Sequence, residues 1–564
     1  MCSLHSYHMV YLEHRKRKDG TVYVYLCRKQ RVAGKVKRTL NLYLGREDQI
    51  TQSFPAMPKI SDLKTVSFGY VAALWQAAER LGLRELVNKY TRKSRAQGLP
   101  VGDYVTLAAI NRVDEPCSKA GIQEWHARTW LATKLPAEAG ELSSQAYWNH
   151  LSYLTDDAIA KIEEGLDSAI MREFHASLEF LLYDATNFHT FIQTESRGDL
   201  PKRGKAKSGR RDLNLVALSL AVTRKEGFPV LHHAYAGNTH DSKHFKAVIP
   251  TLLARCVALK QACEGVTVVF DKGNNSPGNV AALRKDKFHY VASLRPTSYE
   301  HLLDLPESEF ERITLRNGKE VLVHESREEA FELADQRVVV AKDKRSELRS
   351  KYKLMGRLAY ITRELAELRG KLNQGVWAHG ARVDAKVAKI LKRRAGACLV
   401  VAVTGEDAEL SMTVELDGEQ FASMADRYGR TILTTDHEEW TAAEVVEAYR
   451  GQHVVEKDFK EMKCADSVRA TPMYHWTDQK IKAHLFLCVI AFLLKVAVRE
   501  MLEEKGQQPR PSKIKSILGQ VRLVTGTLND AKEFSQLSNM KGESEVLATA
   551  LGLPALLDEN GTLL

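Results

Sequence analysis

Between residues 178 and 295 the chain alternates short apolar runs with turn formers. "EFLLYD", "LNLVALSLAVT" and "PVLHHAYAG" read as three successive strands. A helix follows near "SKHFKAVIPTLLARC", then a strand "VTVVFD", a helix near "NVAALRKD" and a strand "HYVASLR". That order predicts a mixed α/β core. Upstream, residues 20–45 alternate apolar and basic positions around Ala33-Gly34. This predicts a β-hairpin from which Arg28, Lys29, Arg31, Lys35, Lys37 and Arg38 project. Residues 47–64, with Pro55 and Pro58, read as a linker. From about 65 to 175 the period is helical, as in "VGDYVTLAAINRV" and "LSSQAYWNHLSYL", which fits a helix-turn-helix module or plain helical packing. After residue 300 the rhythm breaks into strand-like pieces and a long charged helix around Leu348 to Leu372, as expected of an insertion. "RTILTTD" is then a last strand, leading into a helix from about Thr441 to Lys463.

Composition narrows the class. The 564 residues are 44% hydrophobic and 27% charged, a folded rather than a disordered profile. The net charge of +11 points to a polyanionic partner. None of the eight cysteines forms a C-x-x-C pair, which argues against a zinc knuckle or redox motif and for reduced structural thiols. The N-terminus lacks a signal-peptide apolar region. "HLFLCVIAFLLKVAV", interrupted by Lys495, is short for a bilayer span and is expected to be a buried core helix. A cytoplasmic protein without a membrane partner is the expectation.

Candidate chemistry begins with two apolar runs that each deliver an aspartate, Asp184 in "LEFLLYDATN" and Asp271 in "VTVVFDKGN". Each has two readings. "DATN" and "DKGN" are turn formers, and aspartate there can close an Asx-turn. Alternatively, strand ends hold carboxylates around divalent metal, where two ions roughly 4 Å apart serve phosphodiester chemistry. A third carboxylate is then needed, and the helix "EVVEAYRGQHVVEKDFKEMK" offers Glu447, Glu456, Asp458 and Glu461. Tyr449, Gln452, Glu456 and Lys463 share one face of that helix by their spacing.

"YDATN", "VVFDKGN" and the glutamate helix resemble the three acidic blocks of DDE-type insertion-sequence transposases, in the bacterial cut-and-paste subgroup whose third block reads Tyr, Arg, Glu, Lys. The chain departs from that block at one position, with Gln452 where the family has arginine. "LYLGR", "VGDYVTLAAINRVDEPCSKAGIQEW", "LSSQAYWNHLSYL" and "MYHWTDQKIKAHLFLCVIAFLL" extend the likeness over most of the chain. The resemblance implies a ribonuclease H-like mixed-sheet core with a large α+β insertion before the last catalytic helix. The implied divisions are 1–56 (basic hairpin), 57–175 (helical DNA-binding module), 176–299 (core, first part), 300–428 (insertion), 429–500 (core, second part) and 501–564 (C-terminal helical region). Asp184, Asp271 and Glu456 would be catalytic and hold two Mg²⁺ or Mn²⁺ ions. Tyr449, Gln452 and Lys463 would contact DNA. The implied reaction cleaves the element's terminal inverted repeats and joins the 3′-hydroxyls to double-stranded target DNA, in a homodimeric synaptic complex. A metal nuclease without strand transfer, or a catalytically decayed DNA-binding regulator, are the alternatives.

Other residues have weaker patterns. The loop "SRGDLPKRGKAKSGRR" carries Arg197, Lys202, Arg203, Lys205, Lys207, Arg210 and Arg211, expected to contact phosphates rather than form only a solvated face. "GNTHDSKHF" offers His240, Asp241 and His244 for metal, though a turn with an N-capping Asp or Ser is the plainer reading. Trp377 could stack on an unpaired base or pack in its own domain. Asp436, closing "RTILTTD", is the best rival carboxylate, though a role at a helix N-terminus is the plainer reading.

Overall fold

Apolar–polar alternation over residues 10–46 produces three strands, one more than the expected hairpin. In the computed structural model, β1 (Val10–Lys16), β2 (Val22–Val32) and β3 (Lys35–Arg46) pair antiparallel in that order. The residues described are 10–32, 35–53, 60–93, 98–138, 140–192, 198–204, 206, 209–210, 212–259, 265–528 and 532–557. Leu26 faces Leu12 on one side and Leu42 on the other, and Val24 and Cys27 of the same strand are buried. The expected linker instead holds a helix (Glu47–Ser53) and β4 (Ile60–Ser67). β4 pairs with a hairpin of β16 (Arg522–Leu528) and β17 (Lys532–Ser538), so the C-terminal region is not wholly helical. Gly526 makes room for Phe534, whose ring would lie 2.8 Å from a Cβ there. Met1–Val66, Leu523–Ser538 and Pro554–Leu564 form one compact unit; Ser67–Arg522 with Asn539–Leu553 form the other.

The second unit begins with buried helices, among them Gly69–Arg80, Val101–Asp114, Ser144–Leu151 and Asp156–Phe174. They pack around the apolar helix Asp478–Glu504. That helix, with 27 residues and a mean hydropathy of 2.2 in its most apolar window, is longer than its sequence run suggested. It is long enough to cross a membrane, yet 89% of the window is buried inside the protein, as a core helix would be.

A nine-stranded sheet organises the rest. β5 (Phe180–His189), β6 (Leu215–Thr223) and β7 (Pro229–Ala236) form an antiparallel meander. β8 (Thr267–Phe270) lies parallel to β5, and β9 (His289–Ser293) parallel to β8. The order β7-β6-β5-β8-β9, with the two parallel strands reached through helices Asp241–Ala258 and Pro277–Lys285, is a ribonuclease H-like core. Leu181, Tyr183, Val268 and Phe270 bury one face against those helices. The helices that follow residue 441 cover the other face.

The region expected as one insertion divides in two. β10 (Glu311–Thr314), β11 (Glu320–Ala330) and β12 (Leu333–Lys342) extend the main sheet, joined to β9 through β15 (Arg430–Thr435). The residues between β12 and β15 build a core of their own. It consists of the helices Lys344–Arg369, Gly380–Leu391 and Gly418–Asp426 and the pair β13 (Leu399–Thr404) and β14 (Ser411–Leu416).

Candidate active site

Parallel pairing sets the first two carboxylates abreast. β5 and β8 are in register from Phe180–Thr267 to Tyr183–Phe270, so Asp184 and Asp271 follow at the same level. The pleat turns residues 182, 184, 186 and 188 to one face and Tyr183 to the other, where its ring stacks on Phe245 at 4.3 Å. β5 does not stop at Asp184 as expected: its ladder with β6 runs on from Asp184–Leu220 to His189–Leu215. Asp184 is thus a mid-strand carboxylate, and an Asx-turn does not account for it. Asp271 does close its strand. The Asn274 N–H donates to its carbonyl at 2.9 Å, so here the turn and the presented carboxylate coexist.

Asp271 Oδ1 accepts from Lys272 N at 2.6 Å, Ser293 Oγ at 2.8 Å and Tyr449 Oη at 3.3 Å, while Oδ2 takes part in none of these bonds. Sequence reasoning missed Ser293. The signal was a small hydroxyl closing "HYVAS" one strand away, at the level where aspartate closes "VTVVFD". Burial raises the Tyr449 pKa, with the Asp271 charge next and Glu456 adding to it, so the phenol keeps its proton and donates.

The third block is two helices, Ala442–Arg450 and His453–Lys463, joined by a tight turn at Gly451-Gln452. Thr441 and Glu444 form a capping box at its start. Gly451 permits close approach to β5: a Cβ there would stand 3.1 Å from Leu182 Cδ2 and 3.0 Å from Ala448 O. Gln452, only 7% exposed, donates from Nε2 to Tyr183 O at 3.0 Å and Val269 O at 3.2 Å. It clamps β5 to β8 just beneath the aspartates. Expected to contact DNA, Gln452 here has its amide nitrogen engaged by two strand carbonyls beneath the helix turn. Arg450 turns away and pairs with Asp343 at 2.6 Å.

At the far end, Lys463 Nζ lies 2.5 Å from Thr186 Oγ1 and 5.2 Å from the Phe188 ring centroid. The rise from Gln452 to Lys463 is about 16 Å of helix, matching about 16 Å of strand from Tyr183 to Phe188. The helix therefore runs alongside β5, and Glu456, exposed on its first turn, falls between these anchors on the flank of Asp184. Among the described residues Glu456 makes no side-chain hydrogen bond or ion pair. The segment's other carboxylates are engaged by neighbours or turned away from the sheet. Glu447 accepts from Arg316 N at 2.6 Å, Glu461 pairs with Lys495 at 2.5 Å, and Asp458 is buried on the side away from the sheet, toward Arg499.

The basic loop is only partly described: Arg197, Lys205, Lys207 and Arg211 lie outside the described residues. Lys202 exchanges backbone bonds with Leu215, and its Nζ is 3.7 Å from Asp199. Arg203 is exposed. Arg210 grips Asp212 with two bonds, at 3.0 and 2.5 Å, and holds that carboxyl down at about 2. Burial, then the Arg210 charge and more weakly Lys463, lowers the His189 pKa, so both cations flank the end of β5.

The remaining candidates lie elsewhere or are occupied. Asp436 sits at the opposite end of the sheet, accepting from Tyr290 N at 2.9 Å, beside His289 and His437. It is therefore no rival for the carboxylate pair. Asp241 opens its helix and accepts from Tyr235 Oη at 2.8 Å, while buried His244 stacks on Tyr235 at 3.5 Å. Trp377 packs on the separate core after β12. The all-oxygen donor set of Asp184, Asp271 and Glu456 suits a hard divalent cation.

A family profile described as "Transposase DDE domain" matches residues 176–494, more than half of the chain. No curated protein matches it. Among solved structures, a cryo-EM structure of the piggyBac transposase synaptic complex with hairpin DNA is similar over 79% of this chain and 79% of that one, at 8% identity and a TM-score of 0.37. The matched span opens just before β5 and closes within the apolar helix, so it takes in Asp184, Asp271 and Glu456 together: the chain belongs to the DDE transposases.

Proposed function

We propose that the protein cleaves the ends of an insertion sequence and joins the freed 3′-hydroxyls to target DNA, with Asp184, Asp271 and Glu456 as the catalytic carboxylates. The observation that carries this reading is the pair Asp184–Asp271, abreast on parallel strands, with unpaired Glu456 alongside. Two Mg²⁺ or Mn²⁺ ions held by these three residues would activate the attacking oxygen and stabilise the leaving one. Ser293 and Tyr449 orient Asp271 by donating to Oδ1. Lys463, fixed on Thr186, offers a cation to a phosphate beside Asp184. Lys202 and Arg203 extend that positive rim along the DNA backbone, giving affinity without sequence readout. Water and a 3′-hydroxyl are equivalent nucleophiles for in-line displacement, so one site serves both steps. A homodimer bringing two ends together is the assembly this chemistry calls for.

The test incubates the protein with Mg²⁺, a duplex bearing the element's terminal repeats and a plasmid target. Cleaved ends joined to the plasmid are expected. Asp184→Asn and Glu456→Gln should each lower cleavage by at least about a thousandfold while circular dichroism stays unchanged. Cleavage without joined product would instead indicate a nuclease, and binding without cleavage a regulator. If Asp184→Asn cleaves as well as the parent, the carboxylate assignment is wrong.

A further inference from the structure

Three stretches have no part in the catalytic arrangement: "NRVDEPCSKAG", "LSSQAYWNHLSYL" and "MYHWTDQK". They converge on one cavity of about 350 Å³. Arg112, Lys119 and Tyr147 come from the helical part, and Arg469, Tyr474 and His475 from the segment that follows the glutamate helix. Among the described residues no carboxylate lines the cavity. Among the described residues none lies within ion-pair distance of Arg112, Lys119 or Arg469. Arg112 Nη1 donates to the Arg469 carbonyl at 3.4 Å, and Arg469 Nη1 to the Pro116 carbonyl at 3.3 Å. Arg469 is held at a φ of +49°, a left-handed conformation uncommon outside glycine and typical of sites under functional constraint. Three cations without a counterion in a concave site attract an anion.

Aromatic rings supply the other half of the site. Tyr474 is 60% exposed at the mouth, with its ring 6.0 Å from that of Phe191, and Trp476 beside it is 51% exposed. Inside, His475 stacks on Trp148 at 5.6 Å, and Lys119 and Lys480 lie 4.8 and 5.0 Å from the Trp148 ring. Burial, with His484 and the nearby cations, pushes the His475 pKa down to about 2, so the ring is a neutral surface. The volume suits one small ligand and not a double helix.

The geometry points to a pocket for a single unpaired nucleotide of a bound DNA strand, its phosphate on Arg112 and Arg469 and its base against Tyr474. This rests on the reading that the protein acts on DNA. The pocket stands apart from the carboxylates: its wall begins where Thr190 bridges Met473, about 20 Å of extended strand beyond Asp184. A nucleotide seated there fixes the register in which the strand crosses the active site.

The test titrates the full-length protein, in EDTA, with a labelled, fully paired duplex and with the same duplex carrying one unpaired thymidine. The bulged duplex should bind about tenfold more tightly, as one stacked base allows. Tyr474→Ala, at an exposed position whose truncation spares the packing, and Arg469→Gln should each abolish that preference while leaving the paired duplex's affinity unchanged. Equal affinity for the two duplexes, or a preference that survives both substitutions, overturns the pocket and leaves the DNA-cleaving reading intact. Binding of neither duplex overturns both. As competitors for the bulged duplex, thymidine 5′-monophosphate should act at lower concentration than inorganic phosphate; equal potency overturns the role of Tyr474.

Discussion

Gln452 does structural work at the point where related third blocks carry an arginine. Its two bonds to Tyr183 O and Val269 O satisfy carbonyls that lie under the helix turn. Gln452→Ala should cost about 2–3 kcal/mol, because the two hydrogen bonds of a buried amide to the strands are lost. Urea denaturation measures this, and affinity for paired duplex should not change. A fall in affinity at unchanged stability would mean that the amide does reach DNA. Nothing in "YRGQHVVE" announces this role, because an amide at helical spacing reads alike toward solvent or sheet. Asp184 and Asp271, by contrast, were legible, since each interrupts an apolar run that has to be buried. Asp458 carries a different consequence. Burial raises its pKa from 3.8 to about 8, so the folded chain binds a proton that the unfolded chain releases. Its contribution to stability is full below pH 3.8 and is lost as pH rises through about 8. Asp458→Asn should therefore flatten the fall in Tm between pH 5 and pH 9 and melt a few degrees above the parent at pH 9.

At the scale of elements, the helix bearing Glu456 depends on how its predecessor is started. The capping box at Thr441 fixes the first turn of Ala442–Arg450, and that helix carries Tyr449 to Asp271. Thr441→Ala should cost about 1 kcal/mol, read as a shift in the urea midpoint. It should also weaken cleavage through Tyr449, whereas Tyr449→Phe should weaken cleavage with little loss of stability. The alternating runs between 178 and 295 predicted the core strands well, because sequential strands and crossovers there pair with near neighbours. Elements whose partners are remote were read poorly. "QRVVVAKD" became part of the main sheet only because Val340 pairs with Ile432, and "RLVTGTL" became a strand beside β4, at the other end of the chain. Local period gives a strand's existence, while its sheet is decided by pairing that spacing does not encode.

For the whole molecule, the net charge of +11 favours a polyanionic partner, and the proposed function sets the carboxylates and the basic loop on one DNA path. Affinity for duplex should fall steeply with salt, with the logarithm of the binding constant linear in the logarithm of the salt concentration. Replacing Lys202 and Arg203 together by glutamine should reduce that slope by about 2. An unchanged slope would remove the loop from the DNA path.

The sheet order has one more consequence. The strands bearing Asp184 and Asp271 are complete once β9 has formed, but Glu456 arrives only after the long excursion through β10–β15. A chain still emerging from the ribosome holds two of the three carboxylates on a finished scaffold and lacks the third until its last quarter is made. On the roles proposed for these residues, synthesis itself acts as a safety catch, because a chain short of Glu456 holds an incomplete carboxylate set.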